Sequence, residues 1–330
     1  MNSDLELRVT SLADGQAYSV KKFVDYETDC SLFTCDTAFA INLIPDKETQ
    51  FAPGDLAELF IVGKKAASGR IERVVRKYDK RSRGYAVYGR SSAAILIDNA
   101  VRPEMCKVHE NIKMSEIMQK LLNDIEAAFR PQLFIVGSDF GYIRVEITPG
   151  ETYWEVLSRI ATARGQYLAA LAEGDIEVRD TLKMQDEREF LLQSGVNILS
   201  AEVSYDETKR YMHYIADNQD AKSTIKTVIT DEGAVFPRST TINPEQDIND
   251  EEKLKAYGEL HKIKQIKESM QYRYTVAGHD QDGNIWGVGA VAKLKDDILG
   301  IMGEYLITGT RFTLSKQEGQ RTVLTLSPLI

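Results

Sequence analysis

The chain has 330 residues, of which 43% are hydrophobic, and it carries a formal net charge of −9. This length predicts two domains or three small ones, and the acidic balance argues against a general nucleic-acid-binding protein. No apolar run of about 18 residues predicts a membrane-spanning helix, and three cysteines are too few for a disulfide framework, which fits synthesis in a reducing cytoplasm.

The first hundred residues show the alternation that is typical of β-strands. Leu5 and Leu7 alternate with charged residues, which predicts a strand with one buried face. Two apolar runs, at 32–44 and 56–62, are separated by a segment rich in turn-forming residues. These features predict a first β-barrel-like domain over residues 1–101.

A hairpin predicted over residues 69–90 is strongly basic. Between Lys64 and Arg90, ten basic residues stand against two acidic ones, which gives this segment +8 and leaves −17 for the rest of a chain whose total is −9. Such asymmetry indicates an acidic partner or complementary faces between copies of the same protein, although a solvated hairpin has the same composition. The basic residues are Lys64, Lys65, Arg70, Arg73, Arg76, Lys77, Lys80, Arg81, Arg83 and Arg90.

The pattern then changes to a mixture of helix and strand. Apolar residues from Met114 to Phe129 recur at helical spacing and predict an amphipathic helix. Short strands are predicted near 133–136 and 143–147. Together they predict an α/β middle domain over residues 102–185.

Residues 150–165 carry the signals for both ends of a helix. Thr152 and Glu155 have the spacing of a capping box, and Gly165 tolerates the left-handed conformation that ends many helices. A hairpin turn is predicted to follow at 172–175. The predicted apolar stripe of this helix consists of Trp154, Leu157, Ile160 and Ala161.

Strand patterns return after this segment and predict a second β-barrel-like domain over residues 186–330. An amphipathic helix is inserted near 249–270, with Asn249 as its predicted N-cap. The closing strand–turn–strand segment at 306–326 parallels the hairpin of the first domain. We therefore predict a mainly β, α+β fold with two similar antiparallel β-barrel domains and an α/β middle domain. Alternating apolar residues in its first part are Leu199, Ala201, Val203 and Tyr205.

No catalytic, cofactor-binding or metal-binding arrangement is predicted. The four histidines are scattered, and the pair Cys30 and Cys35 lacks the second pair of a structural zinc site. Neither a nucleophile elbow nor a phosphate-binding loop occurs. Glu151 and Glu155 could imitate a pair of glycosidase carboxylates, but their positions favour capping of a first helical turn.

The order and spacing of several motifs resemble those of Mu-like phage baseplate hub proteins, which are similar to hubs of type VI secretion systems and tailocins. The motifs cover nearly the whole chain. They are Pro-Gly-Asp at 53–55, Gly-Arg-Ile at 69–71, Val-Tyr-Gly-Arg-Ser at 87–91, Leu-Ile-Asp-Asn-Ala at 96–100, residues 150–168, Glu-Gly-Asp-Ile-Glu-Val at 173–178, Gly-Val-Asn-Ile at 195–198 and Leu-Thr-Leu-Ser-Pro at 324–328.

The resemblance implies a homotrimeric baseplate hub of a contractile tail, assembled in the bacterial host cytoplasm and without membrane insertion of its own. Two barrel-like domains in each of three copies would form a pseudo-sixfold ring that joins the hexameric tail tube protein to the trimeric spike protein and leaves a channel for DNA. Phage, prophage, tailocin and secretion-system contexts all stay open. Our own inference is that the basic cluster at 64–90 is a candidate tube- or DNA-facing surface.

Two functions of other classes also stay open. A tail-associated peptidoglycan hydrolase would use Glu151 and Glu155 as its carboxylates. A host-glycan binding module would use Trp154 and Trp286 as stacking platforms.

Overall fold

The computed structural model describes residues 5–35, 37–44, 50–78, 80, 83–136, 142–180, 187–220, 223–244, 248 and 250–329. Its fold is mainly β, with two β units and a smaller α/β unit, as predicted. None of the helices in the described part of the chain is long and apolar enough to cross a membrane.

The first β unit contains seven antiparallel strands. The first of these buries Leu5, Leu7 and Val9 on one face, as the alternation predicts. The strands are β1 (Leu5–Thr10), β2 (Ala17–Val20), β3 (Phe23–Ser31), β4 (Ala38–Leu43), β5 (Leu56–Ile61), β6 (Lys64–Tyr78) and β7 (Arg83–Ser91). Their spatial order is β2-β1-β5-β6-β7-β4-β3.

The middle unit packs helices on short strands around its own apolar core. Its elements are α1 (Ile95–Asp98), β8 (Val108–Lys113), α2 (Met114–Asn123), β9 (Leu133–Val136), β10 (Tyr142–Glu146), α3 (Tyr153–Thr162), β11 (Gln166–Ala170) and β12 (Ile176–Asp180). The helix predicted up to Phe129 ends at Asn123, and Ile125 is buried just beyond it.

Helix α3 has the predicted cap and buries three of the four residues predicted for its apolar stripe, namely Leu157, Ile160 and Ala161. The side chain of Thr152 accepts from the Glu155 amide, and the Glu155 carboxylate accepts from the Thr152 amide, so the capping box is complete. Tyr153 is buried, whereas Trp154 is only half-buried. The prediction is therefore wrong only at the start of the stripe, where Tyr153 and Val156 take the buried positions instead of Trp154. Gly165 has a φ of +69° and lies against Ala256, where a Cβ atom would collide.

The last part of the chain forms the second β unit and an insert. Its elements are β13 (Glu189–Gln193), β14 (Ile198–Tyr205), β15 (His213–Asp220), β16 (Ser223–Thr230), β17 (Ser239–Ile242), α4 (Glu251–Ser269), β18 (Met270–Ala277), β19 (Asp280–Gln281), β20 (Asn284–Ile285), β21 (Val291–Asp296), β22 (Ile301–Ser315) and β23 (Gly319–Pro328). Strands β15 to β17 form a separate sheet against α4. Asn249 lies outside the described residues, and Asp250 is the N-cap of α4.

The two β units have the same order of strands. The path β1-β5-β6-β7-β4-β3 in the first unit matches the path β13-β21-β22-β23-β18-β14 in the second. The first pair differs in direction, because β1 is antiparallel to β5 whereas β13 is parallel to β21. The predicted similarity of the two units is confirmed at the level of strand order.

The two units are joined into one sheet by β3 and β22, which pair antiparallel from Tyr26–Leu314 to Ser31–Gly309. One apolar core accordingly contains side chains of both units, such as Val87 and Leu324. In the described part of the chain the pairings follow an open path from β2 to β14. Closure of each unit into a barrel stays a prediction, as does the division at residues 101 and 185, of which residue 185 lies outside the described residues.

Candidate assembly surface

The basic hairpin is formed by β6 and β7, and it extends beyond the strand on its other side. Strand β5 pairs with β6 only as far as Arg70. At Ile71 the carbonyl oxygen accepts from the Gly54 amide (2.7 Å) and the amide donates to the Asp55 carbonyl oxygen (2.9 Å). After a bulge next to Ile71, residues 73–78 pair with β7 alone among the described residues. The hairpin therefore ends in a two-stranded tip with one open edge.

Glycines allow β6 and β7 to meet closely at the base of this hairpin. A Cβ atom on Gly69 would lie 1.9 Å from the Arg90 carbonyl oxygen, and one on Gly89 would lie 2.1 Å from the Arg70 carbonyl oxygen. Both positions belong to motifs that carry the resemblance. Their glycines are explained by backbone contact.

Three of the ten basic residues are compensated at the base. Lys65 forms an ion pair with Glu58 (2.5 Å), and Lys64 donates to the side-chain oxygen of Asn284 (2.8 Å). Arg90 binds both Glu72 and Asp98 at 2.6 Å. The hydrogen bonds that Arg90 donates to Asp98 and Glu72 raise the pKa of its guanidinium. This end of the cluster is therefore neutralised by its own chain.

Three arginines lie against aromatic rings or backbone carbonyls. Arg70 donates to the carbonyl oxygens of Gly54 and Ala128, and its guanidinium lies 4.9 Å from the centre of the Phe129 ring, so it ties the hairpin to the middle unit. Arg73 lies over Tyr88 (4.1 Å), and Arg76 lies over Tyr85 (5.6 Å). Arg76 also donates to the Phe51 carbonyl oxygen (3.0 Å), and both residues are exposed.

The remaining described basic residues lie towards the tip. Lys77, Lys80 and Arg83 are exposed, and none forms an ion pair with a described residue. Arg81 lies outside the described residues. The basic cluster predicted from sequence therefore divides into three groups. The exposed charges of Lys77, Lys80 and Arg83 lie towards the end of the hairpin.

Strand β14 is the second unusual edge. It pairs with β18 and with no other strand in the described ranges. Alternation of Leu199, Ala201, Val203 and Tyr205 is the pattern of a strand with one buried face. Yet Leu199 is 51% exposed and Tyr205 is 65% exposed. An apolar face left open in this way is typical of an interaction surface.

The two carboxylates considered for hydrolysis are used by α3. Glu155 belongs to the capping box, and Glu151 accepts from the Thr148 amide (2.6 Å) and from Arg159 (2.6 Å). Burial alone would raise the pKa of Glu151, but these hydrogen bonds and the Arg159 charge outweigh it and hold the pKa below its ordinary value. A glycosidase acid needs a raised pKa, which is the opposite of the shift at Glu151.

Neither tryptophan supports sugar stacking well. Trp286 is 2% exposed and packs on Phe190 with ring centres 4.5 Å apart, so its predicted role as a platform is wrong. Trp154 is half-buried and lines a cleft of about 320 Å³ with Tyr257 and His261. Burial lowers the pKa of His261 to about 4, which keeps the imidazole neutral.

The other residues weighed for chemistry are structural. His109 lies within 3.0 Å of the Met105 carbonyl oxygen, and Cys30 and Cys35 are both buried and form no disulfide bond among the described residues. Burial raises the pKa of the Cys30 thiol to about 11. No group of three or more potential metal ligands occurs in the part of the chain that the structure describes.

No protein-family model and no curated protein sequence matches the chain. Solved structures do match over almost its whole length. A tail protein from Neisseria meningitidis MC58 is 21% identical with a TM-score of 0.78, and the match covers 98% of this chain and 96% of that one. The 43 kDa tail protein of prophage MuSo2 from Shewanella oneidensis is also 21% identical with a TM-score of 0.78, covering 98% of both chains.

A component of the type VI secretion system from E. coli is more distant. It is 13% identical with a TM-score of 0.61, and the match covers 98% of this chain and 76% of that one. Its structure is described as similar to tail proteins of bacteriophage T4. Thus the chain has the fold that these prophage tail and type VI secretion proteins share.

Proposed function

We propose that this protein is a structural component of a phage-type tail, and specifically the trimeric hub of a contractile-tail baseplate. The observation that carries the proposal is the repeat of one strand order in two β units of a single chain. The shared fold with tail proteins and the capped, neutralised carboxylates of α3 support a non-enzymatic role.

The repeat gives the hub its geometry. Three chains with two equivalent units each supply six equivalent positions around one axis, which matches a hexameric tube on one side and a trimeric spike on the other. Contacts between unlike surfaces produce a closed ring when the rotation between neighbours closes. In this proposal the segments 1–101 and 186–330 form the ring, the segment 102–185 lies outside it, and DNA passes through the centre.

Within this ring we assign the hairpin tip to contacts with acidic groups. Lys80 and Arg83 are exposed and uncompensated among the described residues, so they are available to the tube surface or the DNA path. The basic residues at the base of the cluster are not available for such contacts, because Glu58, Glu72 and Asp98 neutralise this end.

The mass of the assembly tests the proposal. Sedimentation equilibrium and light scattering of the purified protein are expected to give three times the chain mass of 37.1 kDa. Particle images are expected to show a threefold ring with a central hole. A stable monomer, or a compact trimer without a hole, would contradict the hub. Zymography on peptidoglycan is expected to show no clearing.

A further inference from the structure

The pairing of β3 with β22 joins the two units, but the equivalent strand of the first unit has no such partner in the described part of the chain. Within the chain, β3 of the first unit pairs with the outer part of β22, next to the end of β21. The strand equivalent to β22 is β6, and the strand equivalent to β21 is β5. The corresponding place on β6 is residues 73–78, next to the end of β5. On that side of β6, no described strand pairs with these residues.

The equivalence of β6 and β22 extends to single hydrogen bonds. Ile71 exchanges backbone hydrogen bonds with Gly54 and Asp55. In the second unit Ile307 does the same, because its carbonyl oxygen accepts from the Gly289 amide (2.8 Å) and its amide donates to the Ala290 carbonyl oxygen (2.9 Å). Both strands have a bulge directly after this isoleucine and turn back through a hairpin. Residues 73–78 therefore correspond to residues 309–314, the segment that β3 covers.

The strand equivalent to β3 is β14. Tyr26 lies opposite Ile41, which lies opposite Val87. By the same path, Ala201 lies opposite Tyr274, which lies opposite Leu324. Because Val87 and Leu324 occupy the same place in their hairpins, Ala201 corresponds to Tyr26. The segment 26–31 that covers β22 thus corresponds to residues 201–206.

Strand β14 does not cover β6 of its own chain, since six strands lie between them: β18, β23, β22, β3, β4 and β7. We propose that β14 of one copy pairs antiparallel with the open edge of β6 in the next copy, in the register that places Lys77 opposite Glu202 and Arg73 opposite Asp206. This inference rests on the proposed ring and specifies its subunit contact.

Charge complementarity supports this register. Residues directly opposite in antiparallel strands are stabilised when their charges are opposite, and the register follows from the in-chain joint without reference to charge. It nevertheless matches both basic residues on one face of β6 with both acidic residues of the facing segment. The in-chain joint also carries a charge contact, but a diagonal one, since Arg311 on β22 lies opposite Asp29 and forms an ion pair with Glu27 on β3.

The opposite face of the pair would bury apolar side chains that are now open. Tyr78, 87% exposed, would lie opposite Ala201, and Tyr205, 65% exposed, would lie opposite Val74. Pairing also satisfies backbone groups on both edges that have no strand partner among the described residues, and such open edges otherwise promote uncontrolled aggregation. In the proposed ring, β3 joins the two units within each chain, and β14 joins the second unit of one chain to the first unit of the next.

Cysteine cross-linking tests the register in the full-length chain. Directly opposed Cα atoms lie about 4.5–5.5 Å apart, within disulfide range, whereas diagonal neighbours are too distant at about 7–8 Å. The double variant Lys77→Cys with Glu202→Cys is therefore expected to give dimers and trimers on non-reducing gels after mild oxidation. The matched control, Lys77→Cys with Ser204→Cys, is expected to stay uncrosslinked. Each single variant controls for the three natural cysteines.

Charge reversal gives a second readout. Lys77→Glu and Glu202→Lys alone are each expected to raise the dissociation constant of the trimer about tenfold or more, and the double reversal to restore it. The control Lys316→Glu, at the equivalent turn of the second hairpin, is expected to have no effect. A wild-type trimer with no 77–202 cross-link and no response to reversal would overturn the strand pairing and leave the ring standing. A wild-type monomer would overturn both.

Discussion

His279 ties the two β units together through a hydrogen-bonded chain in the core. Its Nδ1 lies 3.0 Å from the Thr322 hydroxyl oxygen, and that hydroxyl donates to the Gly278 carbonyl oxygen (2.6 Å). Nδ1 must therefore carry the proton, and Nε2 accepts from the Tyr26 hydroxyl on β3. This arrangement requires a neutral imidazole at the joint between the units.

Acidification is expected to weaken this joint. Burial lowers the pKa of His279 to about 4, against an ordinary value of about 6.5 in the unfolded chain. Because the unfolded chain binds the proton first, stability is complete above about pH 6.5 and falls by up to about 3 kcal/mol as the pH approaches about 4. His279→Gln removes this titration. Urea midpoints at about pH 7.5 and about pH 5 should therefore differ less in His279→Gln than in the wild type. A variant that is weakened equally at both pH values with the same slope would contradict the assignment.

At the scale of elements, a single substitution in the capping box of α3 measures what this cap contributes to stability. Thr152→Ala removes the acceptor for the Glu155 amide at the first turn and is expected to lower the free energy of unfolding by about 1 kcal/mol. Thr152→Ser keeps the hydroxyl and is the matched control. Chemical denaturation followed by far-ultraviolet circular dichroism makes the comparison. If both variants lose the same stability, the capping box contributes nothing and the methyl group of Thr152 explains the loss.

Local signals predicted the elements well because their causes lie within a few residues. The spacing of Thr152 and Glu155 predicted a complete capping box. The turn predicted at 79–84 extends too far, because Arg83 and Gly84 already pair within β7, and residues 79, 81 and 82 lie outside the described residues. Errors arose where two neighbours carry the same signal. Asp250 caps α4 one position after the predicted Asn249, and Tyr153 is buried beside the predicted Trp154.

Long-range pairing was beyond the sequence patterns. The joint of β3 and β22 links residues from 278 (Ser31 and Gly309) to 288 (Tyr26 and Leu314) positions apart. Its ion pair between Glu27 and Arg311 is exposed, so no buried motif marks it. Counting charges between Lys64 and Arg90 likewise ignored Glu58 and Asp98, which neutralise the base of the cluster from outside that segment. The sequence thus identified the basic residues of the candidate surface, but not which of them are neutralised by residues outside the segment.

At the scale of the whole molecule, symmetry multiplies small effects. In a threefold ring one substitution occurs at three interfaces, so a change of about 0.5–1 kcal/mol for each cross-strand charge pair becomes about 1.5–3 kcal/mol for the assembly. That is enough to convert a weak surface contact into a measurable change of oligomeric state. Main-chain hydrogen bonds and the burial of Tyr78 and Tyr205 would supply the larger, salt-independent part of the contact.

Ionic strength separates these two contributions. Raising the salt from about 0.1 M to about 1 M shortens the Debye length from about 10 Å to about 3 Å, which screens exposed charges and leaves backbone pairing in place. The wild-type trimer is therefore expected to weaken by the loss of its Lys77–Glu202 and Arg73–Asp206 attractions but to stay assembled through its backbone pairing. Lys77→Glu, in which two carboxylates face each other, is expected to regain much of its assembly at high salt. Sedimentation velocity at both salt concentrations measures this crossover, and a Lys77→Glu defect that salt does not relieve would mean that Lys77 acts through packing rather than charge.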